Sequence, residues 1–189
     1  MWHNQGVGRG TDESEGCRRG RQAPRPLDEE RLRELALHYV GRFATTRAKL
    51  TTYLGRKLRE RGWAGEGAPD LPALVERLAD LGYVDDRAFG VAKAGSLTAR
   101  GYGTRRVRQA LAVAGVREED AADGTAIAQE RAADAALRFA SRRRIGPFAA
   151  EPHDSVQREK ALAAMVRAGH DFAVARAIVD AKPGFPPEL

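Results

Sequence analysis

The sequence predicts an all-α protein assembled from tandem three-helix, helix-turn-helix-like repeats. Three observations carry that prediction. Alanine is abundant, aromatic residues make up only 6%, and there are just three isoleucines (Ile127, Ile145, Ile178), a makeup that favours helix over sheet. No segment shows sustained two-residue alternation of apolar and polar side chains, whereas three-to-four spacing recurs along the chain. Finally, Gly62, Gly115 and Gly169 stand 53 and 54 residues apart, each at a helix stop. The positions four before them are Leu58, Leu111 and Met165, and eight before them Leu54, Val107 and Ala161, so one helical face is kept in all three. A fixed period of this size, holding about three helices, marks an array in which neighbours complete one another's cores.

Residues 1–26 carry five arginines, five glycines and two prolines with almost no apolar side chains. Such a stretch buries too little surface to offset its ordering entropy, and it is expected to be a disordered tail. Asp28 is a good N-cap for a helix over about 28–43, in which Leu32, Leu35, Ala36, Tyr39, Val40 and Phe43 form one stripe. Thr45 or Thr46 caps the next, with Leu50, Tyr53, Leu54 and Leu58 on one side, Gly62 as the stop and Trp63 placed to fold back over its end. A Gly/Pro loop leads to Asp70, Pro72 and the clear stripe Leu71, Leu74, Val75, Leu78 and Leu81, ended by Gly82.

Asp85 or Asp86 caps a fourth helix carrying Phe89, Ala92 and Leu97 as far as Gly101-Tyr102-Gly103. Thr104 opens a fifth, with Val107, Leu111 and Ala114 inward and Gly115 as its stop. From 117 to 141 the pattern softens into acids, Gly124 and an alanine-rich helix around Ile127, Ala133, Leu137 and Ala140. Pro147 and Pro152 bound a loop. Asp154 with Gln157 then forms a capping box ahead of Leu162, Met165, Val166 and the stop at Gly169, and Phe172, Ala175, Ile178 and Val179 stripe the last helix before Pro183. The resulting division is a tail at 1–26, three-helix repeats at 27–84, 85–128 and 129–182, and a C-terminal tail at 183–189.

The 189 residues carry a net charge of +6. Positions 1–26 hold five basic and three acidic groups, which leaves 27 basic against 23 acidic in the body, a mild excess. Its local segregation is more informative. Arg56, Lys57, Arg59 and Arg61 enclose one acid, Glu60; Arg105, Arg106, Arg108 and Arg117 form a second cluster and Arg138, Arg142, Arg143 and Arg144 a third, while Glu118, Glu119, Asp120 and Asp123 stand apart. Basic faces of this kind suit a polyanion or an acidic protein groove, and equally serve as the wet side of a helix. Arg105 and Arg108, three apart, are expected to project outward while Val107 and Leu111 face neighbouring helices.

Other chemistry finds little support. The histidines, His3, His38, His153 and His170, are scattered without metal-ligand spacing, and Asp85-Asp86 reads as capping rather than an acid/base dyad. Gly101-Tyr-Gly lacks the strand and the pattern of a phosphate loop. No enzyme, metal or cofactor is expected. The single Cys17 provides no disulfide framework, and no apolar run reaches the roughly 18 residues of a membrane span or has the form of a secretory signal, so the expectation is a soluble cytoplasmic protein. A helix-turn-helix DNA reader with 104–114 as recognition helix stays open, although Gln109 is the only polar non-basic reader there.

The chain resembles the bacterial RecX regulators of the RecA recombinase. The resemblance rests on Gly82-Tyr83-Val84-Asp85-Asp86 with Phe89; on Arg100-Gly101-Tyr102-Gly103 with Arg106, Leu111, Gly115 and Val116; and on the helical pair from Ala36 to Trp63, ending Lys57-Leu58-Arg59-Glu60-Arg61-Gly62-Trp63. It covers about residues 30–181. Gly90 departs from the alanine usual in the family, Gly65 to Pro69 lengthen a loop, and an Arg/Pro-rich insertion spans 142–152. The resemblance implies a curved, elongated row of three-helix modules that binds as a monomer along the groove of the RecA filament on single-stranded DNA. It further implies suppression of strand exchange, ATP turnover and cleavage of the SOS repressor, with no catalysis of its own. Arg56, Lys57, Arg59, Arg105, Arg106, Arg108, Arg142, Arg143 and Arg144 are the candidate contacts to the filament, with weak direct contact to DNA.

Overall fold

The computed structural model describes residues 25–189, which are all-helical. The tail expected at 1–26 lies outside the described residues except for Arg25 and Pro26. In chain order the helices are α1 (Glu29–Val40), α2 (Arg47–Arg61), α3 (Leu71–Asp80), α4 (Asp86–Ala99), α5 (Thr104–Val113), α6 (Glu118–Glu130), α7 (Ala132–Arg143), α8 (Ser155–Arg167) and α9 (Phe172–Asp180), with a single 3₁₀ turn at Gly146–Phe148. The starts follow side-chain chemistry. Asp28, Thr46, Asp70, Asp85, Asp154 and Asp171 each accept a backbone N–H from the first turn they precede, and Asp154 with Gln157 forms the reciprocal capping box. Gly62, Gly115 and Gly169 all have positive φ (+80°, +71° and +93°), the conformation that favours glycine at a helix stop.

Buried apolar side chains group into three clusters that follow chain order. The first holds Leu27, Leu32, Ala36, Leu50, Leu54, Val75, Leu78 and Val84. The second runs from Ala94 through Leu97, Val107, Leu111, Ala114 and Val116 to Ala128. The third includes Phe139, Ala140, Ile145, Met165, Ile178 and Val179. Tyr102 packs against both the second and the third. In the second cluster α4 and α6 cross closely, because a side chain on Gly124 would strike the backbone of Gly90; the two helices meet main chain to main chain where larger residues would hold them apart.

Several expectations are corrected. Phe43 is 54% exposed and Phe172 56% exposed. Phe43 follows the end of α1 and lies tilted against Tyr39 at 5.3 Å, whereas Phe172 is the first residue of α9 and has no preceding turn of its own helix to pack upon. Ala92 is exposed, and α4 turns Gly90, Ala94, Leu97 and Thr98 inward. Thr104 opens α5 as expected, with Gly103 at the N-cap position, and the Thr104 hydroxyl donates to the Ala128 carbonyl at 2.9 Å. The soft segment resolves into two helices broken at Arg131, with Phe139 rather than Ala133 or Ile127 in the core.

Leu27, entirely buried, escaped the sequence reading as a core residue. It brackets the α2 stop by donating its N–H to Gly62 and accepting from Ala64. Its position just before the N-cap, with Leu32 four residues into α1, is the hydrophobic staple that signals it. The Arg/Pro-rich segment at 142–152 is equally integral, since Ile145, Gly146 and Pro147 are buried and the 3₁₀ turn packs on α7 and α9.

Candidate interaction surface

Two joints set the geometry of the basic residues, and they are built alike. In the first, the α2 N-cap meets the turn after α5: the Thr46 hydroxyl donates to the Ala114 carbonyl at 2.6 Å while accepting the Lys49 N–H. In the second, the α5 N-cap meets the turn after α8: Gly103 N–H donates to Ala168 at 3.0 Å and Arg105 N–H to Gly169 at 3.1 Å. The second contact admits only glycine at both faces. A Cβ on Gly103 would overlap the Gly169 backbone, and one on Gly169 would overlap that of Arg106.

The adjacent aspartates divide between these helices. Asp85 caps α4, accepting the Ala88 N–H at 2.8 Å. Asp86 is buried at 1% exposure and accepts the Arg47 N–H at 2.9 Å, capping the start of α2 across the joint. Its second oxygen, Oδ2, has no hydrogen-bond partner and lies 3.8 Å from the Arg47 guanidinium, which also reaches Glu76 at 3.2 Å. The capping role read for the pair thus holds for each residue, but Asp86 caps a helix other than its own.

At the second joint His170 is buried, with Nε2 3.1 Å from the Gly101 carbonyl and its ring tilted against Phe139 at 5.4 Å. Burial pulls its pKa below the ordinary 6.5, and the Gly101 carbonyl opposes this only in part. His38 is exposed at the rim.

The nine candidate cations do not form one surface. Glu60 serves Lys57 at 2.6 Å and Arg56 at 3.6 Å. The hydrogen bond from Lys57, helped by the charges of Lys57, Arg56 and Arg59, holds the Glu60 carboxyl below its usual range. Arg105 is exposed, yet its guanidinium donates to the Val166 carbonyl at 2.7 Å, tying it to the last turn of α8 instead of leaving it uncommitted. Arg108 faces a separate depression of ≈ 610 Å³ that also holds Glu118. Arg144 is exposed and adopts the left-handed conformation that ends α7.

Arg106, Arg142 and Arg143 converge. Together with Arg167 they line one cleft of ≈ 570 Å³, walled by Tyr102 and Phe139, and no acidic residue among the described residues lines it. Arg106 donates to the Gln109 side chain at 2.9 Å, Arg142 to the Arg100 carbonyl, and Arg143 lies 5.4 Å from the centre of the Phe139 ring. Arg167 was missed because it is a lone cation in its stretch of sequence; only the docking of α8 on α5 brings it alongside the others.

Residues outside the candidate set also combine. Lys49 sits 4.5 Å from the Phe89 ring centre and beside Lys93, with burial first and that neighbouring charge second lowering its pKa, near the stacked rings of Tyr39 and Tyr53.

No family model matches the chain. The regulatory protein RecX of Myxococcus xanthus (strain DK1622) is 35% identical to it over 173 residues, covering 87% of this chain and 92% of that protein. The chain belongs to the RecX family. Solved RecX structures share the fold. The crystal structure of RecX from Lactobacillus salivarius superposes with a TM-score of 0.56 at 17% identity, over 79% of this chain and 93% of that one. A second crystal structure, of regulatory protein RecX, gives 0.59 at 20% identity over 80% and 73%. For this RecX-family chain, no helix among the described residues is long and apolar enough to cross a membrane, and no group of three or more His, Cys, Asp or Glu among them is arranged to hold a metal ion.

Proposed function

We propose that the protein is a noncatalytic, monomeric regulator that binds the RecA filament on single-stranded DNA in the cytoplasm. Binding suppresses strand exchange, ATP turnover and the stimulated cleavage of the SOS repressor, and so restrains homologous recombination and DNA repair. The observation that carries the reading is 35% identity to a regulatory protein RecX across most of both chains. The structure supplies a physical rationale. Helical units joined by repeated cap-on-turn contacts hold separate basic sites at fixed spacing. Several modest contacts on such a frame act together on a polymer and lose effect on isolated subunits.

The alternative, a helix-turn-helix DNA regulator acting without RecA, needs the first turn of α5 to enter a major groove. Gly103, Arg105 and Gly169 occupy that turn with the α8 contact, which favours the filament reading.

The test is RecA-mediated strand exchange with increasing amounts of the protein, run beside duplex binding without RecA at two salt concentrations. The expected result is dose-dependent loss of exchanged product, with only weak, salt-sensitive DNA binding. Unaffected exchange combined with tight duplex binding would establish the alternative.

A further inference from the structure

The cleft between α5, α7 and α8 is lined by four arginines, Arg106, Arg142, Arg143 and Arg167, with no carboxylate among the described residues that line it. Outside the cleft, Arg31, Arg47, Arg56, Arg87, Arg117, Arg158 and Arg176 each sit within ion-pair distance of an aspartate or glutamate. In the cleft, three of the four arginines are oriented by neutral partners: an amide oxygen, a backbone carbonyl and an aromatic ring. Those contacts fix direction without cancelling charge. Like charges held together in a concave site repel, and an anion seated among them removes that cost.

We propose that this cleft is a binding site for a compact, multiply charged phosphate group, either the oligophosphate of a free nucleotide or the terminal phosphate of a nucleic-acid strand. The inference does not depend on the RecA reading. Phosphate fits better than carboxylate because a planar carboxylate has two oxygens and accepts one guanidinium fork edge-on. Four arginine side chains lining one cleft from three helices call for more acceptor oxygens than a carboxylate offers, distributed in three dimensions. An internal phosphodiester carries one charge and two free oxygens, whereas a terminal phosphate or a pyrophosphate presents more of both. The ≈ 570 Å³ volume is of nucleotide size, within the range of small-molecule sites, and Tyr102 forms part of the wall.

Calorimetric titration of the full chain with inorganic pyrophosphate, ATP, and a short oligothymidylate bearing either a 5′-phosphate or a 5′-hydroxyl tests the proposal. Pyrophosphate is expected to bind, and the paired substitution Arg143→Gln with Arg167→Gln to weaken it by about tenfold or more. The pair Arg56→Gln with Arg59→Gln should leave binding within about twofold, the size of effect expected of exposed charges remote from the ligand. ATP binding above the 5′-phosphorylated oligonucleotide would identify a free nucleotide as the source, and the reverse order a strand end. The proposal is overturned if pyrophosphate does not bind, or if the two oligonucleotides bind equally well and both more tightly than pyrophosphate and ATP. It also fails if an acidic peptide binds more tightly than pyrophosphate. Thermal unfolding of the same variants separates structure from binding: should Arg143 and Arg167 serve only the C-terminal ends of α7 and α8, their loss lowers the melting temperature and leaves pyrophosphate affinity unchanged, which refutes the site.

Discussion

Replacing Asp86 by alanine is expected to destabilise the protein by about 2 kcal/mol, because it strands the Arg47 N–H and removes a buried acceptor at the joint. Asp85→Ala loses one exposed cap bond and should cost about 1 kcal/mol. Urea unfolding with unchanged slopes reads both, and equal losses would contradict the division of roles. His170 adds a pH dependence. Its folded pKa lies below the unfolded 6.5, so the unfolded chain binds the proton first. Stability is therefore full above about pH 6.5 and falls as pH drops from there through the folded value. His170→Gln should flatten that acid limb in melts across pH 5 to 8, and an unchanged limb would assign the dependence to other groups. The aspartate caps were legible in the sequence because capping is local chemistry. The cross-joint target of Asp86 was not, since it depends on which helix arrives 39 residues away, and the same holds for His170 beside Gly101.

At the scale of elements, each joint places the start of one helix on the glycine turn that ends another, α2 on the turn after α5 and α5 on the turn after α8. The glycine stops therefore differ in what surrounds them. Gly169→Ala forces an unfavourable φ and a clash with Arg106, with an expected loss above about 2 kcal/mol; Gly62→Ala has open space around the added carbon and should cost only the conformational term, about 1 kcal/mol. Chemical denaturation of the two variants checks the order, and a reversed order would contradict the joint. The 53-residue spacing of stops, the stripes of α2 and α5, and that of α3 short of its exposed C-cap Leu81 were legible because helical periodicity and positive-φ glycines leave direct marks. The α6–α7 break at Arg131 was less so, having neither a glycine stop nor a side-chain cap. Phe43 and Phe172 were misplaced because a stripe drawn through capping residues overruns the turn that buries it.

For the whole molecule, the candidate cations separate into a Glu60-neutralised group on α2, an Arg105 committed to α8, and a cleft of uncompensated arginines where three helices meet. We propose the division into repeats at 27–84, 85–128 and 129–182, on which that cleft lies where the second and third repeats join. Linear clustering identified three of its four arginines but also grouped Arg105, Arg108 and Arg144 with them, because sequence proximity does not report which way a helix end is turned. If the arginine cleft also contributes to filament contact, charge reversal at Arg106, Arg142 and Arg143 should weaken inhibition of RecA more than reversal at Arg56, Lys57 and Arg59. Equal effects would show contacts spread over both surfaces. The central claim is tested most directly by the initial rate of ATP hydrolysis by RecA on single-stranded DNA as the unmodified protein is titrated in. A dose-dependent fall at amounts of protein well below those of RecA is the predicted result, and a rate that stays constant up to equimolar protein would contradict the account.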